Sequence, residues 1–251
     1  MAVNERMSAQ FIFDRSEERQ RIDQFLVKRR PFILYGPSGV GKSLLLRDLL
    51  PSFRATFYCD DSNTINTVFR SLAVSLLRAG SPRAQSAFRN EEGIRAKSPV
   101  SLKGIILDSL REGEYAIVLD HLRRPSYSFA SAVREIVNLC STPVSIVARS
   151  AHMEDAGFLQ PFYGDRSQKC EIRNFDDTVA EQFAREIVKR KGLVASNMSE
   201  FLEKVLEFSA GNPGAIVALI EMANYPKYRT DEHIKITPLY IDFRMNWELA
   251  K

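Results

Sequence analysis

The octapeptide Gly36-Pro37-Ser38-Gly39-Val40-Gly41-Lys42-Ser43 constrains this chain more than any other stretch of it. It satisfies the pattern G-x-x-x-x-G-K-[ST]. It lies between a short, wholly apolar run, Phe32 to Tyr35, and a helix-forming stretch from Ser43 to Leu50. That context is what the pattern requires mechanically. Its glycines let the backbone curl so that successive N–H groups converge on phosphate oxygens. The N-terminus of the following helix adds the positive end of its dipole. Lys42 offers a compact charge to the β and γ phosphates, and the Ser43 hydroxyl is placed to ligate magnesium. Residues 36–43, with Leu44 behind them, are therefore expected to bind a nucleoside triphosphate with its metal ion.

The order of the remaining segments says what such a loop is built into. Phe32-Ile33-Leu34-Tyr35 has no polar side, which suits a strand buried on both faces of a parallel sheet. Further strands are predicted at Thr56 to Cys59, Ala116 to Asp120, Val144 to Ala148 and Cys170 to Ile172, with helical patterns such as Val68 to Leu77 and Phe129 to Leu139 between them. Alternation of this kind implies crossover connections and an α/β sandwich, with functional loops along one sheet edge. Ser16 is expected to cap a first helix closed by Lys28 to Arg30 and stopped by Pro31. The polar stretch from Gly80 to Ser101 reads as a long loop.

Beyond Ile172 the periodicity is helical only. Asp177 is expected to cap a helix that Gly192 ends. Asn197 with Glu200 has the spacing of a capping box leading into Phe201 to Phe208. Gly211-Asn212-Pro213-Gly214 then breaks the chain before Ala215 to Ala223. The expected organisation is an α/β core over residues 1–174, a small helical lid over 175–225 and an extension over 226–251, in which Ile234 to Phe243 reads as a strand.

Composition narrows the class without naming a partner. The 251 residues carry a net charge of +4, too mild to argue for nucleic acid by itself. The densest basic cluster, Lys28-Arg29-Arg30, suits the C-terminal end of a helix, where cations are favoured. No apolar run reaches the roughly 20 residues that span a bilayer, and residues 1–10 lack the apolar stretch of a secretory signal. Three scattered cysteines are too few for a disulfide framework or a zinc set. The expectation is a chain in the reducing cytoplasm.

Asp120 ends the apolar run Tyr115 to Leu119, and a carboxylate at the carboxyl end of such a strand can hold the magnesium ion. With the loop at 36–43 and an extra strand between the two motifs, the chain resembles the additional-strand division of P-loop ATPases. Three looser matches narrow the resemblance to the AAA+ and STAND ATPases, including the origin-recognition and NB-ARC types. Ile12-Phe13-Asp14-Arg15-Ser16-Glu17-Glu18 is similar to their adenine-site motif, with Asp14 in place of a glycine and Ser16 in place of a glutamate. Val144 to Ala148, ending in Arg149, is similar to the strand whose terminal polar residue faces the γ-phosphate. Ala210 to Gly214 is similar to a lid motif whose proline, here Pro213, packs near the base.

The resemblance implies a P-loop three-layer sandwich with a helical lid, binding ATP or ADP with Mg2+. Phe13, Arg15 and Pro213 would join the loop in holding the nucleotide, Ser43 and Asp120 would hold the metal, and Lys42, Asp120, His121 and Arg149 would serve catalysis. His121 stands where many hydrolytic members carry the glutamate that orients the attacking water, so slow hydrolysis is expected of the isolated chain. A neutral imidazole can still act as a base near neutral pH. The functional expectation is an ATP-binding, ATP-hydrolysing switch acting on a partner protein or within an oligomer. The alternatives are a DNA-associated AAA+ ATPase of the transposition-regulator or loader type and a scaffold that binds nucleotide without turnover. The segment after Ala223 is too short for the winged-helix domain of origin-recognition proteins. Arg166 is a candidate finger reaching a neighbouring subunit.

Overall fold

Five short segments pair side by side: β1 (Ile33–Tyr35), β2 (Thr56–Cys59), β3 (Ala116–Leu119), β4 (Val144–Ala148) and β5 (Lys169–Glu171). Every pairing is parallel, and the order across the sheet is β2-β3-β4-β1-β5. This computed structural model describes residues 15–52 and 55–249, which divide into two compact units. One unit comprises Arg15–Gly36 with Lys42–Glu171 and contains the sheet. The other comprises Pro37–Gly41 with the chain from Ile172 onward.

In the α/β unit, alternate strand residues serve opposite faces. Ile33, Phe57, Cys59, Ile117, Leu119, Ile146 and Ala148 join one buried cluster. That cluster is completed by α3 (Ile65–Arg78), α6 (Pro99–Arg111) and α7 (Tyr127–Cys140), which pack on one another. Leu34, Val118 and Val147 point the other way and are as fully buried. On that side α1 (Ser16–Val27) packs against both β5 and α2 (Lys42–Leu49). The sheet is thus covered on both faces, which is why its three central strands β3, β4 and β1 read as nearly continuous apolar runs. Burying side chains such as Ile33 and Leu34 completely contributes about 1.5–3 kcal/mol each.

The stretch read as a loop between Gly80 and Ser101 is folded into α4 (Pro82–Ala87), α5 (Glu91–Arg95) and the start of α6. Few apolar residues mark it, but Ala84, Phe88 and Ile94 are all buried and pin each short helix to the core. Pro82 and Pro99 sit in first turns, where a missing N–H costs nothing. Asn90 and Ser98 cap α5 and α6 by accepting from the N–H groups of Gly93 and Ser101. At α1 the N-cap is Arg15 rather than Ser16, and it makes no side-chain capping bond.

The second unit is helical, with α9 (Asp177–Lys191), α10 (Met198–Ser209), α11 (Pro213–Met222) and α12 (Ile236–Leu249). The four-residue α8 (Met153–Ala156) belongs to the sheet unit. Asp176 caps α9, one residue earlier than expected, and Gly192 ends it in the left-handed conformation. Asn197 makes no capping bond. Its side chain instead accepts from the Ile234 N–H at 2.9 Å and donates to the Ile234 carbonyl at 3.0 Å. These bonds fasten a two-strand hairpin, β6 (Arg229–Thr230) and β7 (His233–Ile234).

The strand expected over Ile234 to Phe243 ends at Ile234, and the rest is the start of α12. Its β-branched residues favour a strand locally, but Leu239 and Phe243, four apart, are both buried in the helical core. Tertiary burial of one helical stripe outweighs local propensity here. Pro238 is tolerated because it lies in the first turn. Among the described residues, no helix is long and apolar enough to cross a membrane.

Candidate functional site

The Gly-rich loop leaves the carboxyl end of β1 and turns through three left-handed or extended glycines, Gly36 (φ 151°), Gly39 (φ 80°) and Gly41 (φ 99°). Gly36 anchors the start by donating its N–H to the Arg149 carbonyl at 3.0 Å, which ties the loop to the end of β4. Val40 closes a turn onto the Pro37 carbonyl. At Gly41 a Cβ would meet nothing within 4 Å, so the inner side of this turn faces open space. Lys42 opens α2, and its ammonium donates to the Gly36 carbonyl at 2.7 Å.

Asp120 follows β3 and is 1% exposed. Its backbone N–H continues the sheet onto Cys59, and its carboxylate is held by two donors. One oxygen accepts from the His121 backbone N–H at 2.7 Å, and the other accepts from the Tyr58 hydroxyl. Tyr58 comes from β2, and the Arg47 guanidinium from α2 lies 5.7 Å above its ring. Burial, and then the neighbouring Asp120 carboxylate, keep the Tyr58 phenol protonated far above its ordinary range. A buried carboxylate with a donor on each oxygen is fixed in orientation.

Lys42 lies within electrostatic reach of Asp120, Arg149 and Asp155. Burial lowers its pKa to about 8; Asp120 and Asp155 oppose the fall, and Arg149 adds to it. A half-buried cation held near a buried carboxylate, beside a turn whose inner side is open, is arranged to receive anionic oxygens. Ser43 follows Lys42 in the first turn of α2, so its hydroxyl leaves the same helix end. These donors fit a phosphate chain with a hard divalent cation, which takes oxygen ligands and few protein groups. Among the described residues, no cluster of three or more His, Cys, Asp or Glu side chains could hold a metal ion by itself.

The residues expected at the site are not all gathered alike. Lys42, Asp120 and Arg149 form one charged cluster in the α/β unit. The His121 side chain is 57% exposed, on a residue with φ 54°, and its Nε2 lies 3.7 Å from Asp120. Arg15 is buried and paired with Glu18 at 2.9 Å. Phe13 lies outside the described residues. Arg166 is exposed in a 3-10 turn, Arg166–Gln168.

Pro213 opens α11, and Asn212 before it proves more informative. The Asn212 side chain caps the helix by accepting from the Ala215 N–H at 3.1 Å. Its amide also donates to the Ser38 carbonyl at 2.9 Å, while the Gly214 N–H donates to the Gly39 carbonyl at 3.0 Å. Phosphates use the N–H groups of such a loop; here its outward carbonyls at the apex are taken by the start of α11. A Cβ on Gly39 would lie 2.7 Å from Asn212 and 2.9 Å from the Trp247 ring, so only glycine fits. Beside this contact Ser38, Asn212, Phe208, Tyr240 and Trp247 line a cavity of about 320 Å³.

Sequence reasoning missed Tyr58, Asp155 and Asn212. Asn212 had a legible signal, an asparagine directly before a proline that starts a helix. Tyr58 and Asp155 had none, because only strand pairing and the return of the chain after β4 bring them to Asp120 and Lys42.

No protein-family model matches the sequence, and no curated protein matches it. Solved structures match its fold. A Walker-type ATPase of Pyrococcus abyssi superposes with a TM-score of 0.63 at 20% identity, over 95% of this chain and 74% of its own. The Aeropyrum pernix Orc1 protein in complex with DNA gives 0.62 at 12% identity, over 94% of this chain and 66% of its own. Thermotoga maritima RuvB gives 0.50 at 11% identity, over 93% of this chain and 70% of its own. The chain therefore has an AAA+-like P-loop ATPase fold, with a five-stranded parallel sheet and flanking helices.

Proposed function

We propose that this chain binds ATP with Mg2+ at the loop of residues 36–43 and works as a nucleotide-dependent switch on a partner protein or a sister subunit. The observation that carries the reading is the pair of hydrogen bonds from Asn212 and Gly214 to the carbonyls of Ser38 and Gly39. A phosphate drawn to the loop's N–H groups shifts the same peptide units whose carbonyls these bonds hold. Occupancy of the loop is thus felt at the start of α11 and at Trp247. A ligand moves such an equilibrium only by its differential affinity for the two states, and these bonds are where the difference would arise.

In the bound state Lys42 places its charge on the β and γ phosphates, and Arg149 faces the outermost one. Ser43 and Asp120 are the residues that would hold Mg2+, which supplies charge neutralisation at the phosphate oxygens. Hydrolysis then depends on a group that orients water. The residue after Asp120 is His121, an exposed imidazole on a strained backbone, so turnover by the isolated chain is expected to be slow. The cytoplasm, where ATP is supplied and its three cysteines stay free thiols, suits this reading.

The test uses Trp247, the sole tryptophan, as its reporter. Titration with ATP and Mg2+ should change its emission in the wild type and leave it unchanged in Lys42→Ala. Phosphate release measured alongside separates a slow ATPase from a scaffold without turnover. ATP binding without any change at Trp247 would leave a nucleotide-binding protein and remove the switch. No binding by the wild type removes both.

A further inference from the structure

Along one flank of α1, bordering its buried stripe, Arg21, Gln24, Phe25 and Lys28 follow one another at i, i+3, i+4 and i+7, one continuous row along the helix. The chain then reverses. Arg29 takes a left-handed conformation (φ 49°), and the Arg30 N–H donates back to the Phe25 carbonyl at 2.9 Å, which returns a third cation to the row. Opposite them stands Ser167, in the turn that also carries the exposed Arg166. Arg21, Gln24, Phe25, Lys28, Arg30 and Ser167 line a cavity of about 290 Å³, with the buried Phe25 contributing its apolar part.

The charges around this cavity are not balanced. Several basic residues elsewhere in the same unit are matched to acids, as in Arg19–Asp48, Arg78–Glu91 and Arg83–Glu112. Arg21, Lys28 and Arg30 are exposed, and their side chains make no ion pair or hydrogen bond among the described residues. Two nearby carboxylates are engaged, while Glu17, one turn before Arg21 on α1, is exposed. Glu18 pairs with Arg15. Asp165, the carboxylate within electrostatic reach of Arg30, accepts from the Ser167 hydroxyl at 2.7 Å and the Ser167 N–H at 2.9 Å. Three neighbouring cations repel one another, and the exposed carboxylates Glu17 and Asp165 offset that only in part.

We propose that this pocket is a nucleic-acid backbone site that grips phosphates without reading sequence. Guanidinium groups suit phosphate because they donate in pairs. A row of three cations matches a ligand with several regularly spaced charges better than a singly charged metabolite. The site is concave, which suits a phosphodiester entering it rather than a flat lipid surface. Phe25 is buried, so no ring is offered for base stacking, and the single Gln24 amide is too little to read a base sequence.

The test is fluorescence anisotropy with labelled single-stranded and double-stranded oligonucleotides over a range of salt. The wild type should bind both, with affinity falling as salt rises, since phosphate neutralisation releases counterions. Replacing all three residues (Arg21→Ser, Lys28→Ser, Arg30→Ser) should reduce the log–log salt slope by about 2–3 and the affinity at 0.1 M salt by about 100-fold. Binding of ATP and the thermal unfolding curve should not change, which confirms the fold. If the triple variant fails to fold, Lys28→Ser alone should reduce the slope by about 1. Lys42→Ala should lose ATP and keep the oligonucleotide, so failure at one site is not mistaken for failure at the other. No oligonucleotide binding by the wild type, or an unchanged slope in the folded variants, overturns the proposal. So does binding of tripolyphosphate, polyglutamate or anionic vesicles at this pocket in preference to oligonucleotide.

Discussion

Lys42 is held in a charged state that its surroundings disfavour. Burial brings its pKa from 10.5 to about 8, so between those values the unfolded chain holds more protons than the folded one. This group's contribution to stability therefore rises with pH across that window. Nucleotide reverses the preference, because phosphate favours the ammonium and raises its pKa in the complex. ATP affinity should be level up to about pH 8 and then fall by up to tenfold per pH unit. Calorimetric titrations from pH 6.5 to 9.5 read this directly, and Lys42→Arg, which keeps its charge, should abolish the fall. A level profile in the wild type would show that the lysine is not the group that meets the phosphates. Tyr58 makes a second prediction at this scale. Its hydroxyl fixes the Asp120 carboxylate, and a hydrogen bond to a charged group contributes about 1.5–3 kcal/mol. Tyr58→Phe should lower nucleotide affinity in Mg2+ by about ten- to a hundredfold and leave affinity in EDTA unchanged. Equal loss in both conditions would make the tyrosine merely structural. The motif residues were visible in the sequence because their chemistry demands a contiguous pattern. Tyr58 was not, because its role depends on the register Tyr58↔Val118, which sets it near Asp120 across the strand pair.

The junction between the loop apex and α11 behaves as one element, closed by residues too small to replace. A Cβ on Gly214 would lie 2.9 Å from the Gly39 carbonyl oxygen and 3.0 Å from its Cα. Gly214→Ala should therefore displace the apex, with a loss of stability of about 1–3 kcal/mol and weaker ATP binding. Differential scanning calorimetry with and without nucleotide separates the two effects, and a variant as stable and as tight as the wild type would show that the junction is slack. Sequence patterning located α9, α10 and α11 because each carries an apolar stripe bounded by a capping residue or a glycine. It missed α4 and α5 because each is anchored by only one or two apolar residues, below what periodicity can register. It misread α12 because Ile234, Ile236, Thr237 and Ile241 favour a strand, and only the packing of Leu239 and Phe243 into the helical core decides otherwise.

For the whole molecule, a ligand that binds only the folded chain stabilises it by mass action. ATP at 100 times its dissociation constant should raise the unfolding free energy by about 2.7 kcal/mol. Denaturant midpoints at increasing ATP check this, and Lys42→Ala should show no shift. The α/β class was legible because both-face burial forces the central strands to read as nearly uninterrupted apolar runs. The sheet order was not, since nothing local says which run lies beside which. That order has a consequence for how the protein is made. The strand that carries the phosphate loop is flanked by β4 and β5, and Phe32 bonds to Ser145 from 113 residues away. At ribosomal speeds, β1 waits roughly ten seconds for its neighbours. The loop sequence is complete early in translation, yet β1 lacks both its neighbours until residues 144–171 have emerged. Until then an apolar strand with two unpaired edges is exposed, which is a task for a chaperone rather than for the nucleotide.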